Sequence, residues 1–204
     1  MPHWSIEDIK TTLGRFKTPS GKGEWGFDVF YCPVDLFDYL ADITFLCKVQ
    51  PDSKNISQEV IEQAMLFGKA IDQWDASDYS GPRLDIVEVW RLGILLYLIR
   101  LFQLPEGSLN TTNLVSSIFQ YARTIPPRTS WGYSMSWPLF QAGLLLPVED
   151  AQNKTWLRSM LYNNFYTLGC LHQKLAVEAL EQVWKSGKDC VLSDPEFLEG
   201  KLIL

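Results

Sequence analysis

The sequence predicts an all-α protein, folded as a single-domain bundle of about seven or eight helices. Three observations support this prediction. Apolar residues recur at helical spacing along most of the chain. Few segments alternate between apolar and polar residues as a strand does, and short turns rich in glycine, proline or serine separate the helical segments. A hydrophobic content of 47% and an aromatic content of 13% in 204 residues provide ample material for a core.

The first half of the chain carries four predicted helices. Ser5 can cap a short amphipathic helix, after which the glycine-rich residues 14–27 form a loop. Pro33 lies next to the start of the second helix, and Ser57 can cap the third. The fourth helix is apolar nearly all round, which predicts a place in the middle of the bundle. These four helices are predicted over residues 1–13, 34–49, 57–74 and 84–103.

Proline and glycine divide the second half of the chain. Pro126 and Pro127 end one helix, and residues 128–136 are predicted as a polar and aromatic loop. Pro138 fits the first turn of a short helix, and Gly169 marks the end of the helix that follows it. The predicted helices cover residues 109–124, 138–146, 148–167 and 170–186, and residues 187–204 are predicted as a loop with a short helical tail.

The charge and the cysteines exclude several classes of protein. The 18 basic residues are scattered among 24 acidic ones, and the net charge of −6 repels nucleic acid. We therefore expect no direct contact with DNA or RNA. No two cysteines form a C-x-x-C pair, so we expect neither a metal nor another cofactor. The cysteines are Cys32, Cys47, Cys170 and Cys190.

The sequence gives no signal for secretion or for a membrane span. Because the N-terminus lacks a secretory signal, we expect a cytoplasmic or nuclear protein. The most apolar stretch, residues 92–102, contains Gly93 and Arg100 and is far shorter than the ~20 apolar residues that a bilayer requires. We interpret that stretch as a buried core helix and expect no membrane partner.

Three segments follow one another in a characteristic order. They are CPVDLFDYLADITFL at residues 32–46, VWRLGILLYL at residues 89–98 and WPLFQAG at residues 137–143. Arg158 and a helix ending in Val183-Trp184 come after them. In order and spacing, they resemble the C-terminal regulatory domain of fungal zinc-cluster transcription factors. The resemblance covers residues 28–190 and implies an all-helical module for effector response, self-masking or partner contact.

The resemblance also divides the chain into parts. Residues 1–27 precede the domain as a helix and a loop, and residues 191–204 follow it as a tail. The family's zinc cluster, which needs six cysteines beginning with C-x-x-C, is not matched here. Either the cluster lies outside this chain or the protein is a stand-alone relative, and a start on Met1 favours the second. The family usually dimerises, so the resemblance implies that this chain can form a homodimer, although no sustained heptad pattern is present.

Glu88 and Arg91 are the first candidates for a site. They lie three residues apart on the predicted central helix, close enough to pair. Arg91 also stands where the family carries an arginine. One interpretation is a buried ion pair that fixes the helix register. The other is that Arg91 anchors an acidic or carbonyl-bearing ligand in a dry pocket.

Further ligand-binding candidates lie in and after the predicted loop 128–136. Trp131 and Tyr133 offer two rings beside several hydroxyl groups, and loops carry function more often than cores do. Trp137, at the head of the third family segment, and Arg158 complete the set. The alternative for the loop is an ordered surface connection, and the alternative for Trp137 is helix packing.

Two classes of function remain open. The first is a regulatory module that binds a small-molecule effector or a protein partner without contacting DNA. The second is an enzyme that reuses the scaffold in fungal secondary metabolism, with acid–base cyclisation or lactonisation of a polyketide-like substrate. The catalytic candidates would then be Asp85, Glu88 and His172. The enzyme requires an enclosed cavity in which such groups converge.

Overall fold

A computed structural model describes residues 5–15, 31–49, 56–104, 110–126 and 130–186, the side chains of 130 and 131 excepted. The described residues form nine α-helices and no strand, which confirms the predicted all-α class. The helices are α1 (Ile6–Gly14), α2 (Val34–Lys48), α3 (Gln58–Asp72), α4 (Pro82–Phe102), α5 (Thr111–Thr124), α6 (Ser130–Ser134), α7 (Ser136–Gly143), α8 (Ala151–Leu168) and α9 (Leu171–Ser186).

Side chains cap the helices where the sequence predicts it. Ser5 and Asp8 form a reciprocal capping box at α1, and the Ser57 hydroxyl accepts a hydrogen bond from the first turn of α3. Asn110 and Asp150 cap α5 and α8 in the same way, although the sequence analysis did not single them out. Each cap satisfies a backbone N–H that the helix itself leaves unpaired.

Helix α4 is the centre of the bundle, as predicted. It packs against α2, α3, α5 and α7. Most of its side chains between Ile86 and Leu98 are buried on every side of the helix. A helix without a polar face must be surrounded by other elements, and these four helices surround it. Helices α8 and α9 pack against each other and also contact α7, which joins this pair to the rest of the bundle.

The predicted loop over residues 128–136 is wrong in part, because Ser130–Ser134 forms the short helix α6. Glycine and serine predict poor helix formation there. One tertiary feature and one local hydrogen bond override that preference. Met135, between α6 and α7, is buried at 2% exposure, and the Ser136 hydroxyl donates to the carbonyl oxygen of Tyr133 at 2.9 Å. Burial of the connection therefore tightens the chain into a helical turn.

The described part of the chain shows no helix that is long and apolar enough to cross a membrane. Within that same part, Cys32, Cys47 and Cys170 carry free thiols, and no group of three or more histidine, cysteine, aspartate or glutamate side chains could hold a metal ion. Cys190, and with it the predicted C-terminal tail, lies outside the described residues.

Candidate functional site

The third family segment begins with an aromatic stack. The ring of Trp137 lies parallel to the ring of Trp90, with centroids 5.6 Å apart and an interplanar angle of 11°. The edge of Tyr97 meets the same ring at 5.4 Å. Both partners belong to α4, so Trp137 fixes α7 on the central helix. Its surroundings are those of a packing residue.

The glycine at the other end of the segment contacts the last two helices. A Cβ atom at Gly143 would lie 2.6 Å from the side chain of Leu157 of α8 and 2.9 Å from that of Leu180 of α9, so a larger residue would require these two buried leucines to shift. The carbonyl oxygen of Gly143 also accepts a hydrogen bond of 2.8 Å from Nε1 of Trp184. The segment WPLFQAG thus joins α4 at one end to α8 and α9 at the other.

Arg91 is engaged in structural contacts. Its guanidinium donates to the Glu88 carboxylate, with the shortest distance 2.7 Å, and the side chains are 15% and 12% exposed. On the other side, Nη1 donates to the carbonyl oxygens of Ile71 and Asp72 at 3.4 and 3.1 Å. These carbonyls end α3, where a cation is favourable. Arg91 therefore ties the C-terminus of α3 to α4, in line with the first of its two interpretations.

Arg158 also joins two helices. Its Nε donates to Glu181 of α9 at 2.9 Å, and its guanidinium carbon lies 5.8 Å from the centroid of the Trp184 ring. Both contacts bind α8 to α9 next to the Trp184–Gly143 hydrogen bond. Arg91 and Arg158, the two arginines that belong to the family pattern, thus each connect two helices. The ligand-binding role of each stays a prediction.

The three catalytic candidates occupy separate environments. Asp85 accepts a hydrogen bond of 2.6 Å from the Thr124 hydroxyl of α5, and Glu88 faces Arg91. His172 is exposed on α9, with Nε2 3.0 Å from Nε2 of Gln173. In the described ranges no hydrogen bond or ion pair connects the histidine to either carboxylate. Asp85 and Glu88 lie three residues apart on α4, and the catalytic role of the three candidates stays a prediction.

A groove opens at the surface between the end of α5, α6 and α8. It has a volume of about 580 Å³, which is within the usual size of a small-molecule site. Tyr133 is the candidate that lines it, and the side chain of Trp131 lies outside the described residues. We name this feature the α5–α8 groove. Its lining residues are Ala122, Arg123, Ile125, Pro126, Gly132, Tyr133, Met135, Trp156, Ser159, Met160, Asn163, Asn164, Tyr166 and Thr167.

Two polar side chains in the α5–α8 groove have defined positions. Arg123 lies over the ring of Trp156 at 4.9 Å and donates to Asn153 at 2.8 Å. Asn164 is only 5% exposed, and its Nδ2 donates to the Ser136 hydroxyl at 3.2 Å and to the sulfur of Met160 at 3.1 Å. Both bonds use the amide nitrogen, so the described residues leave the carbonyl oxygen Oδ1 without a donor.

Arg123, Trp156 and Asn164 were not among the residues predicted for a site. A signal for part of the set was present, because Trp156, Met160 and Asn164 recur every four residues and so share one face of α8. A polar amide at the end of such an apolar stripe indicates a buried group that needs a partner. The position of Arg123 over Trp156 could not be predicted, because it depends on how α5 packs on α8.

A second groove, of about 680 Å³, lies between the C-terminal end of α4, the start of α5 and residues 144–153. The carboxylate of its acidic residue, Asp150, already accepts two hydrogen bonds within the protein. One carboxylate oxygen accepts from the backbone N–H of Asn153 and the other from its side-chain amide. Its lining also includes polar side chains such as Arg100, Gln103 and Thr112, but its described residues lack the aromatic rings that line the α5–α8 groove.

Comparison with known proteins gives one match. The profile described as "fungal specific transcription factor domain" matches residues 10–194, which is most of the chain. No zinc-cluster domain was found. No curated protein matches the chain, and no solved structure does.

Proposed function

The chain belongs to the family of the fungal specific transcription factor domain, and from this premise we propose that it is a regulatory domain whose state depends on a small-molecule effector in the α5–α8 groove. The family supplies the regulatory role. The effector and its place are our proposal, and the groove is the observation that carries it. As for other domains of this family, we expect action in the nucleus or the cytoplasm.

The lining of the α5–α8 groove has the composition of a ligand site. Aromatic and sulfur-containing side chains from α6 and α8, among them Tyr133, Trp156 and Met160, provide apolar surface. A few polar groups, including Asn164 and Arg123, stand among them and can orient a ligand. The core around α4 is filled with side chains, whereas this groove is open to solvent.

A ligand in the α5–α8 groove could alter the packing of α7. Asn164 donates to the Ser136 hydroxyl, which in turn donates to the carbonyl oxygen of Tyr133. Ser136 is the first residue of α7, next to Trp137 in the aromatic stack on α4. A ligand that bonds Asn164 therefore acts on the group that positions the start of α7. This connection gives an effector a physical route to the centre of the bundle.

The other two functions receive less support. An enzyme needs converging acid and base groups, and no hydrogen bond or ion pair in the described ranges links His172 to Asp85 or Glu88. A protein partner is expected to cover one large apolar patch. The large apolar side chains that are exposed in the described ranges are instead distributed over several elements: Phe45, Val49, Met65, Leu66, Leu145, Val148, Tyr166, Leu168 and Leu171.

A substitution that fills the α5–α8 groove tests the proposal. Ser159 is exposed and lines the groove, so Ser159→Trp occupies the groove without entering the core. Thr155→Trp is the matched control, because Thr155 is an exposed residue of α8 that does not line the groove. The measurement is the melting temperature of each protein against a library of small amphipathic molecules. A ligand that binds only the folded state raises the melting temperature.

We expect at least one compound to stabilise the natural protein and the Thr155→Trp variant but not the Ser159→Trp variant. Light scattering on the same samples measures the mass and tests the predicted homodimer. If every stabilising compound acts equally on Ser159→Trp, or if none stabilises the natural protein, the groove is not an effector site.

A further inference from the structure

We infer that the α5–α8 groove takes an elongated aromatic carboxylic acid with a hydrogen-bond donor at its far end. The inference rests on the proposed function and names the class of its effector. It follows from the charge of the groove, from the unpaired oxygen of Asn164 and from the distance between these two features.

The charge of the groove favours an anion. Arg123 is the single charged side chain among the described residues that line it. Its hydrogen bond goes to a neutral amide, Asn153, and its guanidinium carbon lies over the Trp156 ring, 4.9 Å from the centroid. This arrangement holds the fork of N–H donors in place and leaves its charge without an acidic partner in the described ranges. A planar carboxylate is the small anion that fits such a fork.

The aromatic and sulfur-containing lining favours a flat ligand body. Trp156 and Met160 stand one turn apart on the same face of α8, and Tyr133 faces the groove from α6. Rings stack on rings and pack against thioethers with favourable energy. A conjugated aryl group satisfies this lining better than a flexible chain does, because it loses less conformational entropy on binding.

The far end of the groove favours a hydrogen-bond donor. Asn164 is 95% buried, and both of its bonds within the described part of the chain use Nδ2. The oxygen Oδ1 is not among the buried polar atoms without a partner, so water can reach it from the groove. A ligand that displaces this water must supply a donor in its place: a hydroxyl or amino group does so, whereas a plain hydrocarbon would leave the oxygen buried and unpaired at a cost of about 1–3 kcal/mol.

Helix geometry gives the length of the ligand. Arg123 lies over Trp156, and Asn164 follows Trp156 by eight residues on α8. At a rise of 1.5 Å per residue, the two positions stand about 12 Å apart along the helix. A benzoic acid is too short to reach both ends, and a hydroxylated arylpropenoic acid is closer to the required length.

The test uses 4-hydroxycinnamic acid as the probe and isothermal titration calorimetry as the measurement. Its methyl ester lacks the carboxylate charge, and cinnamic acid lacks the hydroxyl. We expect each change to weaken binding about fivefold, since each removes one polar contact at a partly open site. Higher salt is expected to weaken binding of the acid but not of the ester.

Arg123→Gln removes the proposed carboxylate partner. Arg83→Gln is the matched control, because Arg83 is also an exposed arginine but does not line the groove. Arg123→Gln should abolish the preference for acid over ester, and Arg83→Gln should keep it. Equal affinity of the natural protein for acid and ester would overturn the carboxylate inference.

The two proposals fail in different ways. If the acid does not bind, yet a neutral compound stabilises the natural protein and not Ser159→Trp, the effector site stands and its ligand class is wrong. If no compound distinguishes Ser159→Trp from Thr155→Trp, the effector site itself is wrong. If 4-hydroxycinnamic acid binds Ser159→Trp and Thr155→Trp equally well, it binds outside the groove and the inference is rejected.

Discussion

Gly93 of α4 lies directly against Pro138 of α7. A Cβ atom at position 93 would stand 2.9 Å from the Cα atom of Pro138 and closer still to its Cβ atom. Backbone and ring atoms cannot rotate away as the end of a long side chain can. The absence of a side chain at Gly93 therefore sets the distance between α4 and α7, and with it the stacking of Trp137 on Trp90.

Gly93→Ala is expected to lower the free energy of unfolding by about 1–3 kcal/mol, because the added methyl group forces the two helices apart. Gly68→Ala is the control, since its Cβ would meet only the flexible end of Leu98 at 3.3 Å. The gain in helix propensity of alanine over glycine is the same in both variants. Urea unfolding gives the two values, and equal stability of the variants would contradict the role assigned to Gly93.

The contact between Gly93 and Pro138 shows which parts of the fold could be predicted from the sequence and which could not. The apolar surface of α4 and the WPLFQAG segment were visible, so the central helix and the importance of Trp137 could be predicted. The role of Trp137 could not be predicted, because tryptophan serves both in ring stacking within a core and in ligand binding. The stacking of Trp137 on Trp90 of the facing helix favours packing, and a ligand-binding role of Trp137 stays a prediction.

The α5–α8 groove could not be predicted from the sequence, for a related reason. Its parts come from α5, α6 and α8, and one of these helices, α6, was predicted as a loop. Helical periodicity reports which residues share a face, but the angle at which two helices cross depends on side chains from both. The meeting of Arg123 with Trp156 therefore depends on tertiary packing. Ser5 and Ser57, by contrast, cap their own helices and were predicted from neighbouring residues alone.

Trp184→Phe tests the link between α9 and α7. Phenylalanine keeps a ring but loses the N–H that donates to the Gly143 carbonyl at 2.8 Å. The carbonyl then retains a longer bond of 3.4 Å from the backbone of Leu146. The ring is also a poorer partner for Lys154 and Arg158, which lie near Trp184.

The control for this prediction is Trp137→Phe, because no acceptor among the described residues reaches Nε1 of Trp137. Both changes remove the same atoms from a packed ring. We expect Trp184→Phe to be less stable than Trp137→Phe by about 1 kcal/mol in thermal or urea unfolding. A smaller effect at Trp184 than at Trp137 would mean that the hydrogen bond to Gly143 does not hold α9.

Arg91→Met distinguishes the two interpretations of the arginine in the central helix. It leaves the 12%-exposed Glu88 carboxylate and the last carbonyls of α3 without their cation. We expect a loss of about 2–3 kcal/mol in the free energy of unfolding. The double variant Glu88→Gln/Arg91→Met should be more stable than the single variant, because it no longer contains the unpaired Glu88 carboxylate. Full stability of Arg91→Met together with a loss of effector binding would instead favour the ligand-anchor interpretation.

Alkaline pH should destabilise the fold through buried acids. Burial raises the pKa of the Cys32 thiol well above its ordinary value of 9.0. Burial also raises the pKa of Tyr97 above 10.0, and its hydroxyl lies 3.4 Å from that of Thr44. The unfolded chain therefore releases these protons first as the pH rises. The stabilisation is complete below pH 9 and is lost as the pH rises from there towards the pKa of the folded state.

Cys32→Ala removes the thiol that accounts for the first part of this loss. Between pH 8 and pH 10, Cys32 should contribute about 1.4 kcal/mol to the decline in the free energy of unfolding. The decline should therefore be smaller by this amount in Cys32→Ala, whatever its stability at pH 8. Cys170→Ala, at a less buried position near the surface, serves as the control in urea unfolding under reducing conditions. An identical decline in both variants would show that the Cys32 thiol ionises as readily in the folded protein as in the unfolded chain.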